Sequence, residues 1–71
     1  MKTYSTNKYL QRLANFLVAY AVPFSYDGFT IEFTASQRLV DDMQNLDKVL
    51  AKIDFVVNIL NHLKNIHLNI L

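Results

Sequence analysis

Residues 34–71 read TASQRLVDDMQNLDKVLAKIDFVVNILNHLKNIHLNIL, more than half of a 71-residue chain, with no glycine or proline to interrupt them. How this stretch folds decides the architecture. Thr34-Ala35-Ser36-Gln37 has the form of a capping box at a helix start. Apolar residues follow at Leu39, Met43, Leu46, Leu50, Ile53, Val57 and Leu60, in alternating steps of four and three, the spacing of a helical seam. The pattern predicts one helix of about 34 residues and about 50 Å running to the end, or a break near residues 45–48 into two helices. A continuous or merely bent helix is the preferred reading.

On a helical projection of residues 49–71, Leu50, Ile53, Val56, Val57, Ile59, Leu60, Leu63, Ile66 and Ile70 spread over more than about 200° of the circumference, twice what a surface helix normally buries. The remaining arc holds Asp54, Asn58, Asn61, Asn65 and Asn69. A helix this apolar needs cover on more than one side, so those nine residues are the expected oligomer or partner interface.

Toward the amino terminus, Tyr9, Leu10, Leu13, Phe16, Leu17 and Tyr20 recur at helical spacing, with Lys8, Gln11, Arg12 and Asn15 on the other face. They predict a helix from residue 5 or 6 to residue 21, stopped by Pro23. Between the helices, Val22-Pro23-Phe24-Ser25-Tyr26, then Asp27-Gly28, then Phe29-Thr30-Ile31-Glu32-Phe33 predicts a hairpin closed by a two-residue type I′ turn. In that register Tyr26 opposes Phe29, Phe24 opposes Ile31 and Val22 opposes Phe33, giving the ribbon one apolar side. The expected fold is one α+β domain over residues 1–71, in the order α-β-β-α: an N-terminal helix, a two-stranded antiparallel hairpin and a long, possibly bent or broken, C-terminal helix. No linker, low-complexity tract or repeat divides it.

For a chain this short, core burial roughly balances the cost of ordering it, and further stabilisation comes from disulfides, a metal or self-association. The chain has no cysteine, which excludes disulfides and fits a reducing, cytoplasmic setting. Lys2, Lys8 and Arg12 ahead of an apolar run ending in Ala19-Tyr20-Ala21 mimic a secretory signal, but Arg12 and Asn15 interrupt it. A net charge of +1 steers the chain to neither nucleic acid nor anionic lipid.

Site chemistry is sparse. The single glycine, Gly28, excludes a phosphate-cradling loop, and no nucleophile lies in a recognisable set with a base. His62 and His67 stand about 140° apart on a helix, so they cannot grip one metal as residues four apart would. Asp41 and Asp42 read as surface charge near a helix start, with Arg38 four residues before Asp42. No catalytic group, cofactor or metal is expected. Residues 49–71 hold Lys52, Asp54, His62, Lys64 and four asparagines, too polar to span a membrane.

The expectation is therefore a non-enzymatic protein-protein interaction module, a small regulator or inhibitor that binds surfaces, acts as a homodimer and meets an unidentified protein target. Exposed aromatics such as Tyr4, Tyr9 and Tyr26 are its expected contacts. Its size and its richness in Asn, Ile and Leu associate it with phage or mobile-element modulators of host proteins. The alternative is a small nucleic-acid-binding regulator using the basic N-terminal helix, with Lys2, Lys8 and Arg12 of the amino-terminal region as its contacts, a weak signal at three charges per chain.

Overall fold

A computed structural model describes residues 1–58. Of the expected interface positions, Ile59, Leu60, Leu63, Ile66 and Ile70 lie outside the described residues, as do His62 and His67. The elements run β1 (Lys2–Thr6), α1 (Leu10–Ala19), β2 (Phe24–Tyr26), β3 (Ile31–Ala35), α2 (Gln37–Leu46), a 3-10 turn (Leu50–Lys52) and β4 (Val56–Asn58). The strands form one sheet in the order β2-β3-β1-β4, each neighbouring pair antiparallel. It follows that β1 and β2 run parallel with β3 between them, and β3 and β4 run parallel with β1 between them. This is the β-α-β-β-α-β element order of the split βαβ, ferredoxin-like motif. The expected α-β-β-α layout is wrong at both ends.

The first correction is β1. Residues 5 and 6 do not begin a helix, because Thr3 to Thr6 are residues that suit a pleated surface and alternate in facing: Tyr4 and Thr6 are buried, Thr3 and Ser5 half-buried on the other side. Tyr4 is 1% exposed, its ring stacked on Phe33 at 5.5 Å and set edge-on to Phe55 at 5.8 Å. Its hydroxyl donates to Gln37 Oε1 at 3.1 Å. Beyond Thr6, whose Oγ1 accepts the Lys8 N–H at 3.1 Å, Tyr9 takes a left-handed φ of 52° and α1 starts at Leu10.

Pro23 is preceded by a complete helix stop. The Ala21 N–H donates to Val18 O at 3.1 Å and the Val22 N–H to Leu17 O at 2.8 Å, the paired bonds of a Schellman motif. The left-handed residue in it is Ala21, at φ 56°, where glycine is the usual occupant. Leu17 is buried in the core and Val22 packs against that core, as the apolar residues of such stops do.

The hairpin forms, in a register two residues from the expected one: Phe24 opposes Phe33, Ser25 opposes Glu32 and Tyr26 opposes Ile31. Asp27 is the reason. Its carboxylate accepts the N–H groups of Phe29 at 2.9 Å and Thr30 at 2.8 Å, and its own N–H reaches Thr30 O at 3.3 Å, closing a four-residue loop. Gly28 supplies the only positive φ in that loop, 96°, so the type I′ turn does not form. A slip of two keeps each side chain on its face, but Phe29 is pushed into the loop and left 80% exposed.

The largest correction concerns residues 47–58. The helix begins one strand end later than the expected box, with Ser36 Oγ accepting the Leu39 N–H at 3.1 Å, while Thr34 lies in β3 and meets Thr3 hydroxyl to hydroxyl at 3.0 Å. It ends at Leu46. Asp47 leaves helical geometry, at φ −128° and ψ 107°, and its Oδ1 accepts the N–H groups of Val49 at 2.9 Å and Leu50 at 3.3 Å, which starts the 3-10 turn. Gln44 Nε2 donates to the carbonyls of Leu50 at 3.3 Å and Ile53 at 3.2 Å and fixes the far side of that turn. Val56 and Val57 then enter the sheet, as β-branched residues favour, and Phe55 just before them packs on the core.

Both helices lie on one face of the sheet. The core joins Tyr4, Ile31, Phe33 and Ala35 of the sheet to Leu13 and Leu17 of α1, Val40 and Met43 of α2, and Leu50 and Ile53 of the connection. Thr3, Ser5, Ser25, Glu32, Thr34 and Val56 belong to the opposite face, which the described residues leave bare.

Candidate functional site

An antiparallel sheet with helices on one face has two places where a partner can add: its bare face and its edges. Among the described residues the bare face has no aromatic and no basic strand position, and Glu32 gives it a negative charge. Val56, 66% exposed, is the one large apolar group that the described strands put there.

The edge at β2 is different in character. Among the described residues only β3 pairs with it, and they leave its outer side open. The bond from Asp27 N–H to Thr30 O makes those two a hydrogen-bonded pair, and antiparallel pairs alternate. Ser25 and Glu32 are therefore the next bonded pair, and the N–H and C=O groups of Phe24 and Tyr26 point outward. A cleft flanks this edge on each face. On the helix side, about 140 Å³ is enclosed by Leu10, Gln11 and Ala14 of α1 and by Phe24, Tyr26 and Ile31. On the bare side, about 350 Å³ lies over Phe24, Ser25 and Glu32 beside Pro23.

Apolar groups line the approach. Gln11, Ala14 and Val18 form one stripe of α1 at three- and four-residue spacing, and Val18 is 70% exposed. Tyr26 is 58% exposed, with its hydroxyl donating to Gly28 O at 3.1 Å, and Phe29 is the most exposed aromatic ring. The loop's charge is fixed, since two backbone N–H groups hold the Asp27 carboxyl below its ordinary range.

The expected interface residues fare unevenly. Leu50 and Ile53, at 0% and 4% exposure, are enclosed by the protein's own atoms and have no free surface. Val57 faces the core side of the sheet and is half-buried, while Val56 points out on the bare face. Among the expected aromatic contacts, Tyr26 and Tyr9 are exposed, but Tyr4 is a core residue whose phenol is pushed upward by burial and secondarily by the Asp41 carboxylate. The three basic residues are not brought together. Lys2 opens β1, with Nζ 3.4 Å from Gln37 Oε1, and Lys8 lies beyond the other end of that strand. Arg12 is engaged by Asp47, with Nε 2.6 Å from Oδ2, and this contact is the leading cause of that carboxyl's lowered pKa. Of Lys8 and Arg12, both expected on the N-terminal helix, α1 holds only Arg12.

Sequence reasoning missed the β2 edge, because strand order is not written in local patterns. The one available signal was the hairpin's need for further sheet. A third cleft, about 260 Å³, is lined by Ser5, Thr6, Asn7, Lys8, Thr30, Asp54 and Val56. Among the described residues no group of His, Cys, Asp and Glu could hold a metal ion, and no helix is long and apolar enough to cross a membrane. No family model matches the chain, and neither a curated protein nor a solved structure matches it.

Proposed function

We propose that the chain is a non-enzymatic protein-interaction module, a small regulator or inhibitor that self-associates and works by occupying a protein surface. The observation that carries this reading is the β2 edge: outward backbone groups between two clefts, with Tyr26 exposed at one of them and Phe29 exposed in the loop that follows. Amphipathic aromatic side chains dominate binding energy at protein interfaces, and a free strand edge supplies main-chain hydrogen bonds to whatever pairs with it. The nucleic-acid alternative has less support, since Lys2, Lys8 and Arg12 are dispersed and Arg12 is already paired. A sheet that reads single-stranded RNA also stacks bases on aromatic side chains of its open face, and this bare face has none.

The test pairs two measurements. Sedimentation equilibrium from micromolar to millimolar chain should give a dimer. Affinity capture with the wild type and with Phe29→Ala/Tyr26→Ala, both shown to melt alike, should retain a protein that the double variant loses. A monomer throughout, together with capture unaffected by the double variant, sinks the reading. Recovery of nucleic acid that vanishes with added salt supports the alternative instead.

A further inference from the structure

The geometry points to a second copy of this chain as the occupant of the β2 edge, paired antiparallel about a two-fold axis at Ser25, so that two four-stranded sheets join into one of eight strands. This inference rests on the reading of the chain as a self-associating module and names where the association happens.

The edge is complementary to itself. With Ser25 facing Ser25 of the second copy, Phe24 falls opposite Tyr26 and Tyr26 opposite Phe24, and these are the residues whose N–H and C=O groups point outward. Each such pair exchanges two main-chain hydrogen bonds, as the bonded pairs of an antiparallel ladder do. Pro23, next along the strand, has the parity of Ser25, so its missing N–H belongs to the inner side and takes nothing from the outer edge. The axis sets serine against serine rather than like charge against like charge.

The side chains and the area agree with this register. Phe24 and Tyr26 stand on the helix side, so aromatic groups from the two copies meet across the joint beside the cleft against α1. Residues 27–30 follow β2 and residues 20–22 precede it, so antiparallel pairing brings each loop toward the helix stop of the other copy. Tyr20, Tyr26 and Phe29 are 50%, 58% and 80% exposed. At about 150–250 Å² per aromatic side chain, these three alone offer roughly 600–900 Å² over two copies. The strand backbone, Phe24 and Val18 carry the sum past the roughly 1,000 Å² that a specific interface requires.

The test follows amide hydrogen exchange by NMR in the full chain at low and high concentration. Phe24 and Tyr26 amides should slow at least about tenfold as the dimer forms, while the Ser25 amide, bonded to β3, stays protected at both concentrations. Ser25→Lys puts like charges at the axis, beside a Glu32 that can pair with each, and should weaken dimerisation about fivefold or more with undiminished melting of the dilute monomer. Exchange at Phe24 and Tyr26 that ignores concentration overturns the assignment: fast exchange means a free edge, slow exchange means cover by residues 59–71. A dimer that forms while those amides stay fast, and that survives Ser25→Lys, uses another surface; the site then falls while self-association stands.

Discussion

Residues 39–46 and residues 50–57 carry the same apolar signature, steps of three and four between large aliphatic groups, yet one is a helix and the other a 3-10 turn followed by a strand. The difference lies in the polar residues between them. In the first stretch Ser36 and Gln37 serve the helix, by a cap at the Leu39 N–H and by a side-chain bond from Gln37 to Asp41 one turn on. In the second, Asp47 takes the next N–H groups for its own carboxylate, and Gln44 reaches forward to carbonyls that a continuing helix would have bonded itself. Side chains that compete for backbone groups can redirect a chain whose apolar spacing is ambiguous.

The sharpest way to break that contrast is truncation at two members of the shared pattern. Leu50→Ala should cost about 3 kcal/mol, because its side chain is fully enclosed. Leu46→Ala, at a position 69% exposed, should stay within about 0.5 kcal/mol. Equal losses in urea unfolding would mean that the two leucines share a helical seam after all.

Gln44→Ala should cost about 1–2 kcal/mol by the same measurement, since two carbonyls lose their donor at once. Extra helix in far-ultraviolet circular dichroism would instead show that Gln44 was holding the chain away from helix. Ala21→Gly bears on the other helix end, where backbone strain rather than side-chain competition is involved. It should add about 0.5–1 kcal/mol by relieving the left-handed alanine, and a loss of stability there would contradict the Schellman geometry.

The smallest effect is expected at Asp47, and it depends on pH. Its folded pKa is depressed below the ordinary 3.8, chiefly by Arg12, so its ionised form stabilises the fold above that value and the contribution fades as pH falls through the folded pKa. Asp47→Asn keeps an acceptor for the Val49 N–H but loses the charge. The variant should melt slightly below the wild type at neutral pH and converge with it in acid. A gap that persists in strong acid would assign the role of Asp47 to its cap alone.

What could be read from the chain follows the same division. The hairpin was legible because Asp27-Gly28 and alternating aromatics act locally, and α1 because Leu10, Leu13 and Leu17 repeat at one face ahead of Pro23. β1 was not, since Tyr4 and Thr6 are only two inward residues and Tyr9 extends the helical rhythm back toward them. β4 was hidden by the seam, because Ile53 and Val57 meet the core under either geometry. The candidate edge depends on β1 lying between β3 and β4, a long-range arrangement that no local pattern encodes.

The inner place of β1 has a consequence for synthesis. Thr3 pairs with Asn58, and the other side of the same strand pairs with β3, so the segment made first must wait for nearly all the others. At ~5–20 residues per second, the last partner leaves the ribosome roughly 3–11 s after the first. Until β3 is made both margins of this aromatic-bearing strand are unclaimed, and the margin that β4 takes stays so for the whole interval, when nascent chains crowded on one messenger could pair with each other. Slow initiation or a chaperone near the tunnel exit would lower that risk.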